Sequence, residues 1–302
     1  MGAATARNHH LSDRMAIALA SIRGRLRWFE PAARERSKRA IEAIAGPGPG
    51  RNALARAYLG HAYAREKFIR RPWMVQGTPV EDVDHLRAAC AAGRGVLVSY
   101  CHLGPFPGVA VTVAEHAGNV HQVAGMWLAR PTMEQGKDSR WHGWRSMFTQ
   151  AAVPLIPAEG SFPVVAELVA GGAVVVLSFD WPGSAETTFL GKPVWLASGT
   201  ARLAEQTGAM VVPVMRKFQQ CQARTVFGPP LDPRQHEGWR GLHDALAAQH
   251  ERWILECPAA LEDPRRAGAW EAEATADRWG APGVKAASGS QRGFTPGRSP
   301  RP

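Results

Sequence analysis

A chain of 302 residues with 45% apolar content can bury a sizeable core, as one large α/β domain or two small ones. Its four cysteines, Cys90, Cys101, Cys221 and Cys257, form no CxxC pair, which excludes a disulfide scaffold and a cysteine-built zinc site and fits a reducing compartment. The net charge of +10 lies wholly in residues 1–71, which hold 15 basic and five acidic side chains.

The rest of the chain is balanced. The tail, 281–302, carries Lys285, Arg292, Arg298 and Arg301 and no acid, so the middle, 72–280, is slightly acidic. A basic arm beside a near-neutral core points to a polyanionic surface, either anionic lipid or nucleic acid. No uncharged apolar run of 18 residues occurs, and Asp13, Arg14 and Arg23 interrupt the apolar patch near the N-terminus. Neither a membrane-spanning helix nor a signal peptide is expected, which leaves a soluble or peripheral protein on the cytoplasmic side.

In chain order, residues 1–11 read as disordered. Ser12 to Phe29 reads as an amphipathic helix with Ser12 as N-cap, mixing Met15, Ile17, Ala18, Leu19, Ile22, Leu26 and Trp28 with Arg14, Arg23, Arg25 and Arg27. Such a helix either lies on an anionic membrane surface or packs on the domain. Pro31 opens a second helix to about Ala45, and Gly46-Pro47-Gly48-Pro49-Gly50 breaks the chain. Asn52 to Arg70 is a third helix with a cationic end that suits the helix dipole.

A repeating pattern follows. Helices are predicted at 80–92, 105–117, 132–150, 161–169, 200–207 and 239–257, and strands at 96–100, 120–126, 153–156, 173–179, 210–215 and 223–227. The run Ala173 to Phe179 is almost wholly apolar, as in a strand buried on both faces. The alternation argues a mixed α/β sheet with helices on both faces. From about Gly280 the Gly/Pro/Ser/Arg-rich tail reads as disordered. The chain therefore divides into a basic helical arm (1–71), an α/β domain (72–280) and a basic tail (281–302).

Four stretches can carry chemistry. In Gly93 to Gly108 an apolar strand ends at His102, and Gly104, Pro105 and Pro107 lead into a helix. Ligands bind at such strand tips in open α/β sheets. A histidine there is either a general base or a loop residue with no chemical role. Gly104 lets a substrate come close to the backbone. In Phe179-Asp180-Trp181-Pro182-Gly183, Asp180 follows a buried strand and either orients His102 or serves a turn. Ser198 and Thr200 cap the next helix, whose N-terminus, with Lys192 nearby, can hold a phosphate or carboxylate. Arg130, after the second strand, is either a phosphate clamp or a solvated arginine.

Taken in order, Gly-Arg-Gly-Val-Leu-Val, His-Leu-Gly, Arg-Pro, Asp-x-Pro-Gly, Phe-Leu-Gly-Lys-Pro, Ser-Gly-Thr-Ala and Thr-Gly-Ala-x-Val-Val-Pro-Val resemble the lysophospholipid acyltransferase superfamily, from about Arg71 to Trp253. The branch that the chain looks most like is that of the lipid A biosynthesis lauroyl/myristoyl acyltransferases and the phosphatidylinositol mannoside acyltransferases. The resemblance implies an αβα fold of the glycerolipid acyltransferase type at the inner face of the cytoplasmic membrane. It implies transfer of an acyl chain from acyl-CoA or acyl carrier protein to a hydroxyl of a lipid or glycolipid, with no cofactor or metal. By the same resemblance His102 is the base, Gly104 belongs to the close-approach loop and Arg130 contacts a substrate phosphate, while Lys192 and Ser198 remain substrate-binding candidates from the helix N-terminus reading.

The family pattern is a histidine, four residues, then Asp or Glu. Here Pro107 stands at the acid's position, and the next acid is Glu115. The orienting carboxylate must come from elsewhere, with Asp180 the candidate, or be lacking, which would leave a lipid- or acyl-binding relative. Pro105 and Pro107 also remove two backbone donors from the site. A nucleic-acid partner is not expected, because the basic residues are not interleaved with an aromatic platform and no binding motif occurs. A GxSxG serine hydrolase is excluded for lack of the motif.

Overall fold

The computed structural model describes residues 2–129, 139–219 and 221–262. Three helices come first, α1 (Gly2–Leu26), α2 (Pro31–Ala45) and α3 (Arg51–Ile69). Nine strands follow: β1 (Val80–Glu81), β2 (Val96–Tyr100), β3 (Val120–Ala124), β4 (Leu155–Pro157), β5 (Val174–Ser178), β6 (Pro182–Phe189), β7 (Lys192–Leu196), β8 (Met210–Gln219) and β9 (Gln222–Phe227). Helices α4 (Val83–Ala91), α5 (Val109–Ala114), α6 (Met126–Ala129), α7 (Ser139–Gln150), α8 (Phe162–Ala170), α9 (Gly199–Thr207) and α10 (Gly238–Glu256) lie between and after them.

Seven strands form one mixed sheet in the order β1-β9-β8-β2-β5-β3-β4, parallel throughout except for the β8–β9 hairpin. Successive side chains of a strand point to opposite faces. Leu97, Val175, Leu177 and Val211 thus enter one apolar cluster, and Val96, Val98, Val176 and Val212 enter the other. Helices α8, α9 and α10 cover the first face, and α4, α5 and α7 the second. The result is an αβα sandwich. Every residue of β2 and β5 is buried, which is why those segments read as continuous apolar runs.

Four expectations are corrected. The first helix begins at Gly2, so residues 2–11 are helical and Ser12 lies inside the helix rather than capping it. Residues 80–92 split into the short strand β1 and helix α4, because Val80 pairs with Thr225 at the sheet edge. The helix read over 105–117 is a 3-10 turn, Phe106–Gly108, followed by the six residues of α5. Between β5 and α9 the chain makes an antiparallel hairpin, β6–β7, that the pattern did not announce. Its inward residues are Gly183, Ala185, Thr187 and Phe189, mostly small or polar. Its two-residue turn is Leu190-Gly191, both with positive φ, where Asn-Gly is the usual signal. The expected tail 281–302 and residues 132–138 of an expected helix lie outside the described residues.

Helix α1 packs on α3 at a close crossing: a Cβ on Gly24 would stand 2.3 Å from the Leu59 carbonyl oxygen. Ile17 is buried, and Asp13 accepts from Arg71 Nε at 2.9 Å and Trp73 Nε1 at 2.7 Å. The opposite side of α1 and its 3-10 extension carries Leu11, Met15, Leu19, Ile22, Leu26 and Phe29, each more than half exposed. Their spacing of three and four residues places them on one stripe. No described helix is long and apolar enough to cross a membrane.

Helix α10 packs on the sheet through two buried histidines. His250 lies against Ser99 Oγ (Nε2 to Oγ 3.1 Å) and stacks on Phe179. His243 also lies on Phe179, and neither of its ring nitrogens has a hydrogen-bond partner. Burial holds both rings neutral, pushing His250 down to about 3 and His243 down to about 4. Both values lie below the roughly 6.5 of an unfolded histidine, so the unfolded chain binds more protons below that pH and stability falls as the pH drops from about 6.5 towards 4. Each group contributes a slope of about 1.4 kcal/mol per pH unit inside that window. His243→Phe should therefore leave stability at neutral pH equal or higher and shallow the acid slope by one such increment. Denaturant midpoints measured between about pH 7.5 and 4.5 check this; an unchanged slope would show that His243 is not the group taking up the proton.

Candidate active site

The register of the sheet brings the two chemical strand ends together. In the parallel pair β2–β5, Tyr100 stands opposite Ser178, and the Phe179 N–H still donates to the Tyr100 carbonyl at 2.7 Å. Two residues beyond that pair stand His102 and Asp180, level with each other and on one face because the side-chain period of a strand is two. They are in contact. Asp180 Oδ1 lies 2.7 Å from His102 Nδ1, and Asp180 Oδ2 accepts the His102 backbone N–H at 3.0 Å. One carboxylate thus holds both the ring and the main chain of the histidine.

The pair is dry. Asp180 is fully buried and His102 is 7% exposed. Three rings surround the imidazole: Phe106 with centroids 4.4 Å away, Trp181 at 5.6 Å and Tyr100 at 5.7 Å. Trp181, 38% exposed, forms the outer edge of this collar. Hydrogen bonds between charged or polar groups strengthen where water is excluded. With Nδ1–H donating to the carboxylate, Nε2 carries the lone pair, which is the arrangement that accepts a proton.

The loop after His102 is clamped from two sides. A short segment, Pro258–Glu262, lies along it: the Glu262 N–H donates to the His102 carbonyl at 2.9 Å, the Gly104 N–H donates to the Ala260 carbonyl at 2.9 Å, and Leu103 bridges Leu261. On the other side lies Arg216 of β8. A Cβ on Gly104 would meet its carbonyl oxygen at 2.2 Å, and one on Gly108 would meet its Nη1 at 1.6 Å. Gly104 also has φ +60. Its glycine is therefore required by the backbone turn and by Arg216, whereas the sequence suggested close approach by a substrate.

Arg216 is itself unusual. It is 1% exposed, it donates from Nη2 to Thr78 Oγ1 at 3.1 Å, and its Nε and Nη1 have no hydrogen-bond partner. Burial pushes its guanidinium down to about 9.

The other candidates scatter. Ser198 precedes α9 close to the pair, since the Ala197 N–H donates to the Trp181 carbonyl at 2.9 Å. Its hydroxyl makes no capping bond and is buried without a partner, contrary to the capping expectation. Lys192 pairs with Phe189 at the far end of the hairpin, roughly 20 Å from Asp180 by strand rise. Arg130 lies outside the described residues. Among the described residues no group of three His, Cys, Asp or Glu side chains could hold a metal ion.

Sequence reasoning missed the collar and the strap. Tyr100 carried a signal, because it shares parity with His102 on a strand, and Trp181 adjoins Asp180. Pro258–Glu262 carried none, because its contacts are main-chain hydrogen bonds made some 160 residues away in sequence, a span evident only from the fold.

No family model matches this chain, and no curated protein matches it. Among solved structures it is similar to the 1-acyl-sn-glycerophosphate (LPA) acyltransferase PlsC from Thermotoga maritima, with a TM-score of 0.41 and 14% sequence identity over 84% of this chain and 98% of that one. Overlap and identity at that level leave the function to be read from this chain's own residues.

Proposed function

We propose that the chain is an O-acyltransferase that moves a fatty acyl chain from acyl-CoA or acyl carrier protein to a hydroxyl of a lipid or glycolipid at the cytoplasmic face of the cell membrane. The observation that carries this reading is the buried Asp180–His102 contact at adjacent strand ends. Asp180 fixes the Nδ1–H tautomer, so Nε2 of His102 takes the proton of the acceptor hydroxyl as its oxygen attacks the thioester carbonyl. The new ester C–O bond forms, the C–S bond breaks, and the imidazolium returns its proton to the departing thiolate. The apolar collar keeps water, a competing nucleophile, from the thioester. Ser198, buried near the pair, is the candidate donor to substrate. No cofactor or metal takes part in this scheme.

The location rests on the α1 stripe. Six large apolar side chains in water on one helix face, beside exposed Arg23 and Arg25, match the surface of an anionic bilayer, with the apolar side chains entering the interface and the arginines meeting phosphates.

Two outcomes follow. His102→Ala should lower thioester consumption with a lipid acceptor by about 10³-fold or more, and Asp180→Asn by about 10²–10⁴-fold, with melting temperatures showing that both variants fold. Wild-type rates in His102→Ala would remove His102 as the base, and a wild-type chain that consumes no thioester would leave a lipid- or acyl-binding protein. Leu19→Glu/Ile22→Glu should cut cosedimentation with phosphatidylglycerol-containing vesicles by at least tenfold. Turnover of a short-chain soluble thioester should stay unchanged. Undiminished vesicle binding would show that the stripe is not the docking face.

A further inference from the structure

The strap that holds the His102 loop is itself held, and from the N-terminal arm. Arg65 of α3 is 7% exposed. Its Nη2 donates to the Glu262 carbonyl at 3.1 Å and its Nη1 reaches the Ala260 carbonyl at 3.4 Å. Tyr58, two turns earlier on the same helix, points its hydroxyl at the Glu262 carbonyl at 3.5 Å. The planar fork of a guanidinium suits two carbonyls, one in the Pro258–Ala260 3-10 turn and one just beyond it, which a single ammonium cannot match. The same two residues also hold the site: the Ala260 carbonyl that Arg65 reaches accepts the Gly104 N–H as well, and the Glu262 N–H donates to the His102 carbonyl.

We propose that Arg65 is a positioning residue for His102, acting through the Pro258–Glu262 strap. Asp180 fixes His102 on its N–H side and at the ring; the strap fixes it on the carbonyl side, and Arg65 fixes the strap. Without Arg65 the strap loses its charged anchor, and the carbonyl side of His102 and the turn at Gly104 gain freedom. Small displacements of a catalytic group cost large factors in rate. The arm is thereby part of the frame of the site as well as a docking element, which deepens the acyltransferase reading and, for its kinetic arm, rests on it.

The test uses the full chain with Arg65→Met, Arg65→Gln and Arg65→Lys. Amide hydrogen exchange reads the strap directly. The Gly104 and Glu262 amides should exchange at least tenfold faster in Arg65→Met while amides of β5 keep wild-type protection. In the same variant kcat should fall by 10–100-fold with KM for the thioester within about twofold, and Arg65→Lys should recover part of the loss. Arg65→Gln, which keeps one donor group, should fall between. Wild-type protection at both amides, faster exchange spread evenly over the sheet, or local release with unchanged kcat would each overturn the proposal.

A wild-type protein that turns over no thioester would overturn the acyltransferase reading instead. The His102 Nδ1–H resonance then decides the positioning role: its loss in Arg65→Met and retention in Arg65→Lys support it, and its retention in every variant overturns it.

Discussion

The structure turns on one buried carboxylate. Asp180 accepts two hydrogen bonds from a single residue, one from the ring of His102 and one from its backbone N–H. A carboxylate taken fully out of water is costly unless its lone pairs are met, and these two donors meet part of that demand. The bond works in the other direction as well. It sets which imidazole nitrogen carries the proton and where the ring lies, from a residue that follows a different strand.

That interaction depends on the sheet. His102 and Asp180 face each other because β2 and β5 are parallel neighbours in a register that puts Tyr100 beside Ser178. A slip of one residue would send one side chain to the opposite face. The full burial of both strands makes that slip expensive, since every residue of each would change its surroundings. The apolar core therefore serves the site as a register gauge. The loop beyond is shaped by packing that admits only glycine at two points, where Arg216 passes beneath Gly104 and Gly108. It is closed from outside by a segment more than 150 residues later in the chain.

How much of this was legible in the sequence follows from the range of the forces involved. The ends of α2 and β2 could be read because Pro31, the Gly/Pro break and an apolar run are local signals. His102 and Asp180 each stood out as a polar residue closing a buried strand. Pro107, in the place where the resembled family carries its acid, left the source of a carboxylate open. The answer lay in strand order, since β5 inserts between β2 and β3, and no window of sequence states that order. The β6–β7 hairpin was hidden by small and polar inward residues and by a leucine in a left-handed turn position. Ser198 looked like a cap because its residue type and position fit one, yet its hydroxyl is buried without making the bond. The strap and its arginine were out of reach because main-chain hydrogen bonds leave no residue-type signature.

As proposed, His102 and Asp180 act as one unit in catalysis, the carboxylate serving the reaction by holding the histidine. The most direct measurement is a double-mutant cycle on acyl-transfer rate with His102→Ala, Asp180→Asn and the pair combined. The double variant should be no slower than His102→Ala alone, because an orienting group has nothing to orient once the ring is gone. Losses that add in free energy, with the double variant slower than His102→Ala by the full factor that Asp180→Asn costs alone, would contradict it.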